Sequence, residues 1–289
     1  MKVNPSKAFL VALWFVAWLS ISASSILVIL SRQTSLVCAF WRLLFSLPLV
    51  AFASYFSGGP KHMSLRELLL ACLAGVFLAF HFLTWMTSLH LTSVALSTTL
   101  VVLYPLIAAV VEVVLHKASI TKESALGLVL SVAGAAISLA PSFSTGYWLG
   151  PSLALMGAFL AAGYFLIGSE VRRAAGLWNY VLVAYASAAL ALGIYGGLAG
   201  DSLFPSSSTA WFFLVALALV PMIGGHTTMN YMLKYMPTYS VTSVALGEPV
   251  GASLIAWAVL NQKPGINVWV GMLLVLMGEW LVLRVTGNS

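Results

Sequence analysis

Two chemically versatile residues lie inside long apolar stretches, each directly before a proline. Glu248 precedes Pro249, and Tyr104 precedes Pro105 at the position 144 residues earlier. A charged side chain at the centre of a membrane helix costs about 2.5 to 3.5 kcal/mol on insertion scales, so a carboxylate kept there needs an explanation. It can pair with an ammonium group or carry a proton, and each proline is expected to kink its helix. We therefore predict a kinked, functional region near the middle of both stretches.

Other aromatic and hydrogen-bonding side chains recur at helical spacing within apolar stretches. Residues three or four apart share a helix face, which places His81 with Trp85 and His226 with Asn230. Rings combined with a few polar groups are typical of the lining of a small-molecule site. The sequence predicts a central cavity with eight substrate-binding residues: Trp18, His81, Trp85, Tyr104, Tyr164, His226, Asn230 and Glu248.

Structural interpretations stay open for most of these residues. The glycine and alanine stripe that includes Tyr164 is also typical of close helix packing. An intramembrane histidine can remain neutral and make a structural hydrogen bond, which applies to His81 and His226. Arg42 is interpreted as a structural residue that caps carbonyls or pairs internally, with anion binding as the alternative. Three carboxylates are expected to be solvated or paired near helix ends: Glu112, Glu170 and Glu279.

Motifs of enzymes and metal sites are missing from the sequence. It contains no phosphate-binding loop of the ATPase type and no HExxH or CxxC motif. Asp201 is the sole aspartate and lies in a predicted loop, so no Ser, His and Asp set can be placed at one depth. Cys38 and Cys72 fall inside apolar stretches and are expected to be free thiols. We expect no enzymatic activity, no cofactor and no metal.

The composition indicates which elements position these residues. Hydrophobic residues make up 61% of the 289 residues and charged residues 7%, with a mean hydropathy of +1.03, whereas roughly a quarter of a soluble domain is charged. Apolar runs of about twenty residues recur along the chain, which is the length of a membrane-spanning helix. The predicted fold is an all-α integral membrane protein with ten transmembrane helices, at about 8–30, 35–56, 67–89, 94–116, 124–140, 151–171, 177–198, 209–235, 238–260 and 265–285.

The chain matches itself when it is shifted by 144 residues. The shift superimposes helices one to five on helices six to ten, and Gly127 and Gly134 fall on Gly271 and Gly278. We predict two five-helix repeats as domains, residues 1–145 and residues 146–289. Because five is odd, the second repeat is expected to enter the membrane inverted relative to the first.

Basic residues predict the orientation in the membrane. Ten lie on the side of the N-terminus and two on the other side, which places both termini in the cytoplasm of a multi-pass inner-membrane protein. The ten are Lys2, Lys7, Lys61, Arg66, Lys117, Lys122, Arg172, Arg173, Lys234 and Arg284, and the two are Arg32 and Lys263. The first apolar stretch resembles a signal peptide but continues to Leu30, so it is interpreted as a retained helix.

Two long stretches resemble a known transporter family. Residues 75–117, GVFLAFHFLTWMTSLHLTSVALSTTLVVLYPLIAAVVEVVLHK, and residues 232–263, MLKYMPTYSVTSVALGEPVGASLIAWAVLNQK, are similar to the signature regions of EamA-type transporters of the drug/metabolite transporter (DMT) superfamily. Phe40-Trp41-Arg42 resembles the arginine-containing second helix of that family. The resemblance implies ten helices in two inverted repeats, export of small metabolites and a central cavity. The sequence departs from the family pattern at His116-Lys117 and at Asn261-Gln262.

Aromatic lining with His81 is also similar to the amino acid exporters of the YddG type. The expected function is secondary transport that exports a small amphipathic metabolite, amino acids first and aromatic ones favoured, by alternating access. The expected partners are a small-molecule substrate, the lipid bilayer and a possible coupling proton, with no nucleic acid. A nucleotide-sugar or other metabolite carrier of the same fold and a passive channel-like facilitator remain as alternatives; a lipid-handling protein fits less well because no lateral polar groove is predicted.

Overall fold

The computed structural model describes residues 5–57, 59, 62–115 and 121–286, and every regular element in that part of the chain is helical. Six helical segments are continuous and four are interrupted. In chain order they are α1 (Lys7–Ser22 and Ser24–Ser31), α2 (Ser35–Phe56), α3 (Leu65–Leu91), α4 (Val94–Val101 and Tyr104–Leu115), α5 (Lys122–Thr145), α6 (Leu149–Ala174), α7 (Leu177–Ala199), α8 (Ala210–Leu217, Ala218–Thr227 and Thr228–Met232), α9 (Thr238–Thr242, Ser243–Gly247 and Glu248–Leu260) and α10 (Ile266–Thr286).

Length and apolar composition agree with a membrane protein. Eight of these segments are long and apolar enough to cross a membrane, while α5 and α10 contain the shorter apolar stretches Ala125–Pro141 and Ile266–Leu281. The observed ends lie within a few residues of most predicted ones. The predicted end of the fifth helix at residue 140 is wrong, because α5 continues through Pro141 to Thr145.

Hydroxyl side chains define several helix starts. Ser6, Thr34, Ser64 and Ser93 each accept a hydrogen bond from a backbone N–H in the first turn of the following helix. Such caps satisfy donors that have no partner inside the helix. At Ser64 the cap is reciprocal, because Glu67 accepts from the Ser64 backbone N–H at 2.7 Å. Local sequence therefore sets the helix boundaries while the apolar composition sets their lengths.

The interruptions of α4 and α9 fall at equivalent positions of the two repeats. After Val101 the chain leaves the helix and resumes it at Tyr104, and in α9 a 3-10 turn over Ser243–Gly247 gives way to a new α-helical segment at Glu248. Pro105 and Pro249 thus occupy the first turn of a new segment, where a missing N–H leaves no helix bond unmade. An α-helical segment thus begins directly at Tyr104 and at Glu248, while the predicted kink at each proline stays a prediction.

Helix α8 differs from its counterpart α3. Its middle part, Ala218–Thr227, is a π-helix that contains Pro221, whereas α3 is α-helical throughout. The wider winding is supported by the hydroxyl of Thr227, which donates to the carbonyl of Met222 five residues earlier at 3.1 Å. π-helical turns are rare and often lie at functional sites.

Helices α5 and α10 pack with their backbones in close approach. A side chain on Gly271 would overlap with the Gly134 carbonyl, and one on Gly278 would overlap with the Gly127 carbonyl. This order of contacts makes the two helices antiparallel. The repeat shift of 144 residues takes Gly134 to Gly278 and Gly127 to Gly271. It therefore converts each of the two contacting pairs into the other. Ser131 even donates to the Val275 carbonyl, its own equivalent, at 3.4 Å.

The other helix contacts follow the same exchange. α1 packs on α8 and α3 packs on α6, while α2 packs on α7 and α4 on α9. The inner surfaces of α1, α3, α4, α6, α8 and α9 enclose the centre of the molecule, where the candidate site lies.

Candidate functional site

A small enclosed cavity lies between the two halves of the molecule. It measures about 30 Å³, which is room for water and far below the roughly 300 Å³ of a typical small-molecule site. This cavity is therefore too small to hold a metabolite. The lining residues are Ile21, Ser24, His81, Trp85, Val101, Tyr104, Phe165, Pro221, His226, Met229 and Glu248.

Five of the eight predicted substrate-binding residues line this cavity. They are His81, Trp85, Tyr104, His226 and Glu248. Their elements explain the convergence, because the breaks in α4 and α9 bring Tyr104 and Glu248 to the start of new segments beside the cavity. Glu248 is buried, with 6% of its surface exposed.

His81 is held by a hydrogen bond across the helix interface. Its Nδ1 lies 2.9 Å from the Gly157 carbonyl oxygen of α6. Because a carbonyl only accepts, Nδ1 carries the hydrogen and Nε2 is left with its lone pair. The ring is nearly parallel to that of Trp85, with centroids 6.1 Å apart. The hydrogen bond to Gly157 thus agrees with a structural role for His81, while Nε2 remains available to accept a hydrogen bond from a ligand.

His226 has a different environment from His81. Its ring lies nearly parallel to Phe165, with centroids 6.0 Å apart, and meets Phe82 edge-on at 5.1 Å. Its Nδ1 is buried and has no hydrogen-bond partner among the described residues. The Nε1 of Trp85 is likewise buried without a partner in this part of the chain. Two residues of the cavity wall therefore each have a buried nitrogen without a hydrogen-bond partner among the described residues.

Trp18, Tyr164 and Asn230 lie outside the cavity wall. Trp18 packs against the backbone of Gly247, where any side chain would overlap with the indole nitrogen. Asn230 donates from Nδ2 to the Tyr164 hydroxyl, and both side chains are fully buried. These three residues do not line the cavity, so their direct contact with a substrate stays a prediction.

The pair Tyr164 and Asn230 belongs to a buried network around Arg172. The Arg172 Nε donates to the Asn230 carbonyl at 2.9 Å and Nη1 donates to the Ala175 carbonyl at 2.6 Å. Arg172 was expected in a cytoplasmic loop, yet it is 2% exposed. It folds back into the interior, where the carbonyl of Asn230 near the end of α8 and that of Ala175 just after α6 accept its hydrogen bonds. We call the face where α1 begins and α6 ends the N-terminal face, and this network lies at that face.

The opposite face contains a much larger opening. A vestibule of about 740 Å³ lies between the α1–α2 connection and the C-terminal ends of α3 and α7. Gln33 and Ser206 join the two repeats at its rim, with Ser206 N donating to the Gln33 Oε1 at 2.8 Å. Val37 and Leu83 belong to its wall. The vestibule is therefore far larger than the central cavity.

Arg42 is a buried basic residue for which the sequence favours a structural role first, with anion binding as the alternative. Its side chain is 0% exposed, and its guanidinium carbon lies 4.0 Å from the centroid of Phe82. Nη1 donates to the hydroxyl of Ser24 at 3.3 Å, whereas Nε and Nη2 have no partner among the described residues. The expected carbonyl caps are not made by these two nitrogens. The signal that could have singled it out is the one that singled out Glu248, a charge deep in an apolar helix.

The three outlying carboxylates have separate outcomes. Glu170 is exposed and forms ion pairs with Arg66 at 3.2 Å and Arg173 at 3.3 Å, as expected. Glu112 is half-buried. For Glu279 the expectation is wrong, because the side chain is 0% exposed and neither oxygen has a hydrogen-bond partner among the described residues. The close approach of α5 and α10 buries it.

Several sequence features lie where the structure gives partial information. Lys2, Lys61, His116 and Lys117 lie outside the described residues, as does the side chain of Arg284. At the second departure from the family pattern, Asn261 ends α9 in the left-handed conformation with a φ of 55°, the usual place for glycine or asparagine. Gln262 accepts a hydrogen bond from the Val94 backbone at 3.1 Å and so ties α9 to α4. Cys38 and Cys72 are free thiols.

Comparisons with known proteins agree with this architecture. A crystal structure superimposes on 98% of this chain and 100% of its own, with a TM-score of 0.70 and 18% identity, which indicates a shared fold. No curated protein matches the chain. The model of the EamA-like transporter family matches residues 6–140 and again residues 148–284. Since the two matches together span nearly the whole sequence, the chain belongs to the EamA-like transporter family of the DMT superfamily.

Proposed function

We propose that the protein is a secondary transporter that exports small amphipathic metabolites, with amino acids first and aromatic amino acids favoured. The observation that carries this proposal is the central cavity, which Glu248, Trp85 and Tyr104 line together. A carboxylate matches a substrate ammonium group, and aromatic walls match an apolar side chain or interact with the cation. This combination is also the reason for favouring an exporter of the YddG type.

We further propose that the two repeats are inverted and that ten helices cross the membrane. The support comes from α5 and α10, where antiparallel contacts exchange under the repeat at Gly127 and Gly278 and at Gly134 and Gly271. A twofold axis that exchanges two antiparallel helices runs perpendicular to them, and in a membrane that axis lies in the bilayer plane. Inversion of the second half is the consequence.

The proposed orientation has both termini in the cytoplasm of the inner membrane. It rests on the excess of basic residues at the N-terminal face. Arg172 no longer counts among the solvated ones because it is buried. Single cysteines at Ser6 and at Ser289, the latter outside the described residues, test it. In sealed cells both should be protected from a membrane-impermeant maleimide and should react after permeabilisation. Labelling of either from outside would reverse the orientation.

We propose alternating access as the mechanism. The closed network around Arg172 on the N-terminal face and the vestibule of about 740 Å³ on the other face support a state that is nearer to opening outwards. Rocking of the two repeats would break the network around Arg172 and close the vestibule. A proton bound at Glu248 is the proposed coupling ion; the charged and titratable groups within electrostatic range of that carboxylate are Arg42 and Tyr104.

A transport assay separates this function from its alternatives. Purified protein in proteoliposomes is offered labelled phenylalanine, leucine, a nucleotide sugar and an uncharged sugar, with and without a pH gradient. Saturable phenylalanine transport that increases with the gradient is expected. Preference for the nucleotide sugar would contradict the amino acid proposal, and non-saturable flux of all four solutes would indicate a channel. Protein-free vesicles and Glu248→Gln vesicles are the controls.

A further inference from the structure

Arg42 has hydrogen-bonding capacity that the protein itself does not use. The guanidinium is fully buried, and two of its three nitrogens lack a partner among the described residues. Buried charges in proteins are normally paired and hydrogen-bonded, since water no longer solvates them. The third nitrogen binds only the neutral hydroxyl of Ser24, and Phe82 covers one face of the group. An anion is therefore the group that this site lacks.

Arg42 lines neither the vestibule nor the central cavity, but residues near it line each of them. Val37, five residues earlier on α2, belongs to the vestibule wall, and a helix rises about 7.5 Å over that distance. Ser24, which accepts from Arg42, lines the central cavity. On the proposed transport path between the two spaces, a solute would therefore come close to the guanidinium.

Glu248 supplies the opposite charge on the cavity wall. Arg42 and Glu248 lie within electrostatic range of each other, yet they form no salt bridge in the described part of the chain. An acidic side chain on the cavity wall and a basic side chain within electrostatic range of it match a ligand that carries both an ammonium and a carboxylate group. The Nε2 of His81 and the rings of Trp85 and Phe165 lie in the same wall.

We propose that Arg42 binds the carboxylate of a zwitterionic amino acid while Glu248 faces its ammonium group. The inference rests on the proposed function of the cavity and names the group that selects amino acids from other amphipathic solutes. The planar guanidinium with two free nitrogens can donate two parallel hydrogen bonds to a carboxylate, which a lysine ammonium cannot reproduce. His81 and His226 then serve as secondary contacts and are not the principal carboxylate ligands.

Three matched ligands separate the two charges of the substrate. Phenylalanine carries both, phenethylamine lacks the carboxylate, and 3-phenylpropanoate lacks the amine. Binding of each is measured by calorimetry on purified wild-type protein, Arg42→Gln, Arg42→Lys and Glu248→Gln. The control is Arg66→Gln, because the Arg66 side chain is 78% exposed and remote from the cavity. Gel filtration and thermal unfolding establish that each variant is folded.

Arg42→Gln is expected to weaken phenylalanine binding about tenfold or more, the usual loss when a hydrogen bond to a charged group is removed. Phenethylamine binding should change less than about threefold, within the range of a weak neutral contact. Arg42→Lys should retain part of the affinity because it keeps the charge without the planar geometry. Glu248→Gln should show the reverse pattern, with 3-phenylpropanoate the least affected ligand.

Two results would overturn the assignment of Arg42. Equal losses for phenylalanine and phenethylamine in a folded Arg42→Gln protein would make the residue structural, and unchanged binding of all three ligands would leave it without a role in binding. If wild-type protein binds none of the three, the proposed amino acid function itself fails and the inference falls with it. Wild-type binding of phenylalanine therefore tells the two failures apart.

Discussion

Helices α4 and α9 are equivalent in the two repeats and carry different chemistry at the same backbone feature. Both are interrupted, and both resume their α-helical course at the residue before a proline, Tyr104 in one and Glu248 in the other. The break is thus a property of the repeated backbone, whereas the carboxylate belongs to the second repeat alone. Equivalent geometry with unequal side chains gives the cavity one acidic wall and one phenolic wall.

Helices α3 and α8 show the reverse case, with similar side chains on different backbone structures. Each contributes a histidine to the cavity, but His81 comes from a regular helix and is anchored on Gly157, while His226 comes from a π-helical stretch and lacks a partner for Nδ1 among the described residues. Similar side chains are therefore held by different contacts. In the first repeat the histidine is anchored by a hydrogen bond, and in the second it is held by packing against aromatic rings.

The largest effect is expected where the repeats differ in charge. Glu248→Gln should reduce phenylalanine transport about tenfold or more, because an interaction with a buried charge is lost. Tyr104→Phe, the matched change in the first repeat, should reduce it less than threefold, in line with loss of a single neutral hydrogen bond. Initial rates in proteoliposomes, with and without a pH gradient, measure both.

The response to the gradient separates the two roles of Glu248. If the carboxylate carries the coupling proton, Glu248→Gln should transport without dependence on the gradient and still bind substrate. If it pairs with the ammonium group, binding should weaken, and an analogue without the amine should lose little. Unchanged binding, rate and pH response would contradict both roles and leave Glu248 as a structural residue beside Pro249.

A second prediction concerns the α5–α10 contact, where the repeats are alike. Gly134→Ala and Gly278→Ala are equivalent under the repeat, and both should destabilise the protein by about 1 to 3 kcal/mol, because the added methyl group overlaps with backbone. Thermal unfolding of the purified protein measures the loss. Gly197→Ala is the control, since nothing lies within 4 Å of the added carbon. Strongly unequal losses in the two variants would mean that the contact is not exchanged by the repeat.

The anchored and unanchored histidines should respond differently to replacement by a ring of similar size. His81→Phe removes the hydrogen bond to Gly157 and should lower stability by about 0.5 to 1.5 kcal/mol. His226→Phe breaks no hydrogen bond at Nδ1 and should cost less, while it still alters the cavity. Unfolding temperatures of both variants decide the comparison. A greater loss of stability in His226→Phe would contradict the conclusion that His81 is the more firmly anchored of the two histidines.

The smallest effect on stability is expected at the two prolines. Pro105 and Pro249 lie in the first turns of their segments, so replacement by alanine should change stability by less than about 1 kcal/mol. The new N–H can bond to the preceding turn and extend the helix across the break, which should slow transport by less than Glu248→Gln does. Membrane insertion and transport rates are the measurements. Wild-type rates in both variants would show that the break does not depend on proline.

Much of the helical fold follows from composition and periodicity, because apolar runs of membrane length leave few other structures. The register of the repeat predicted that Tyr104 and Glu248 would meet near the centre, and both line the cavity. Hydrophobicity alone did not predict the break before these residues, since a half-helix and a kinked helix have the same apolar pattern.

Side-chain direction is the part of the site that the sequence did not predict. Arg172 follows an apolar run and resembles a loop residue, yet it turns inwards to reach the carbonyls of Asn230 and Ala175. Glu279 was placed near a helix end, but the helix packing at Gly278 encloses it. Both outcomes depend on contacts between helices that are far apart in sequence, which spacing within one helix does not encode.

The antiparallel contact between α5 and α10 has a consequence for how the two repeats can associate. Because Ser131 meets Val275, its own equivalent, and the glycine pairs exchange under the repeat, the surface is complementary to an antiparallel copy of itself. Under the proposed inversion, two separate copies of such a five-helix unit, inserted in opposite orientations, could associate through the same surface. Only residues 146–148 separate α5 from α6, so a very short connection is enough to join two such units in one chain.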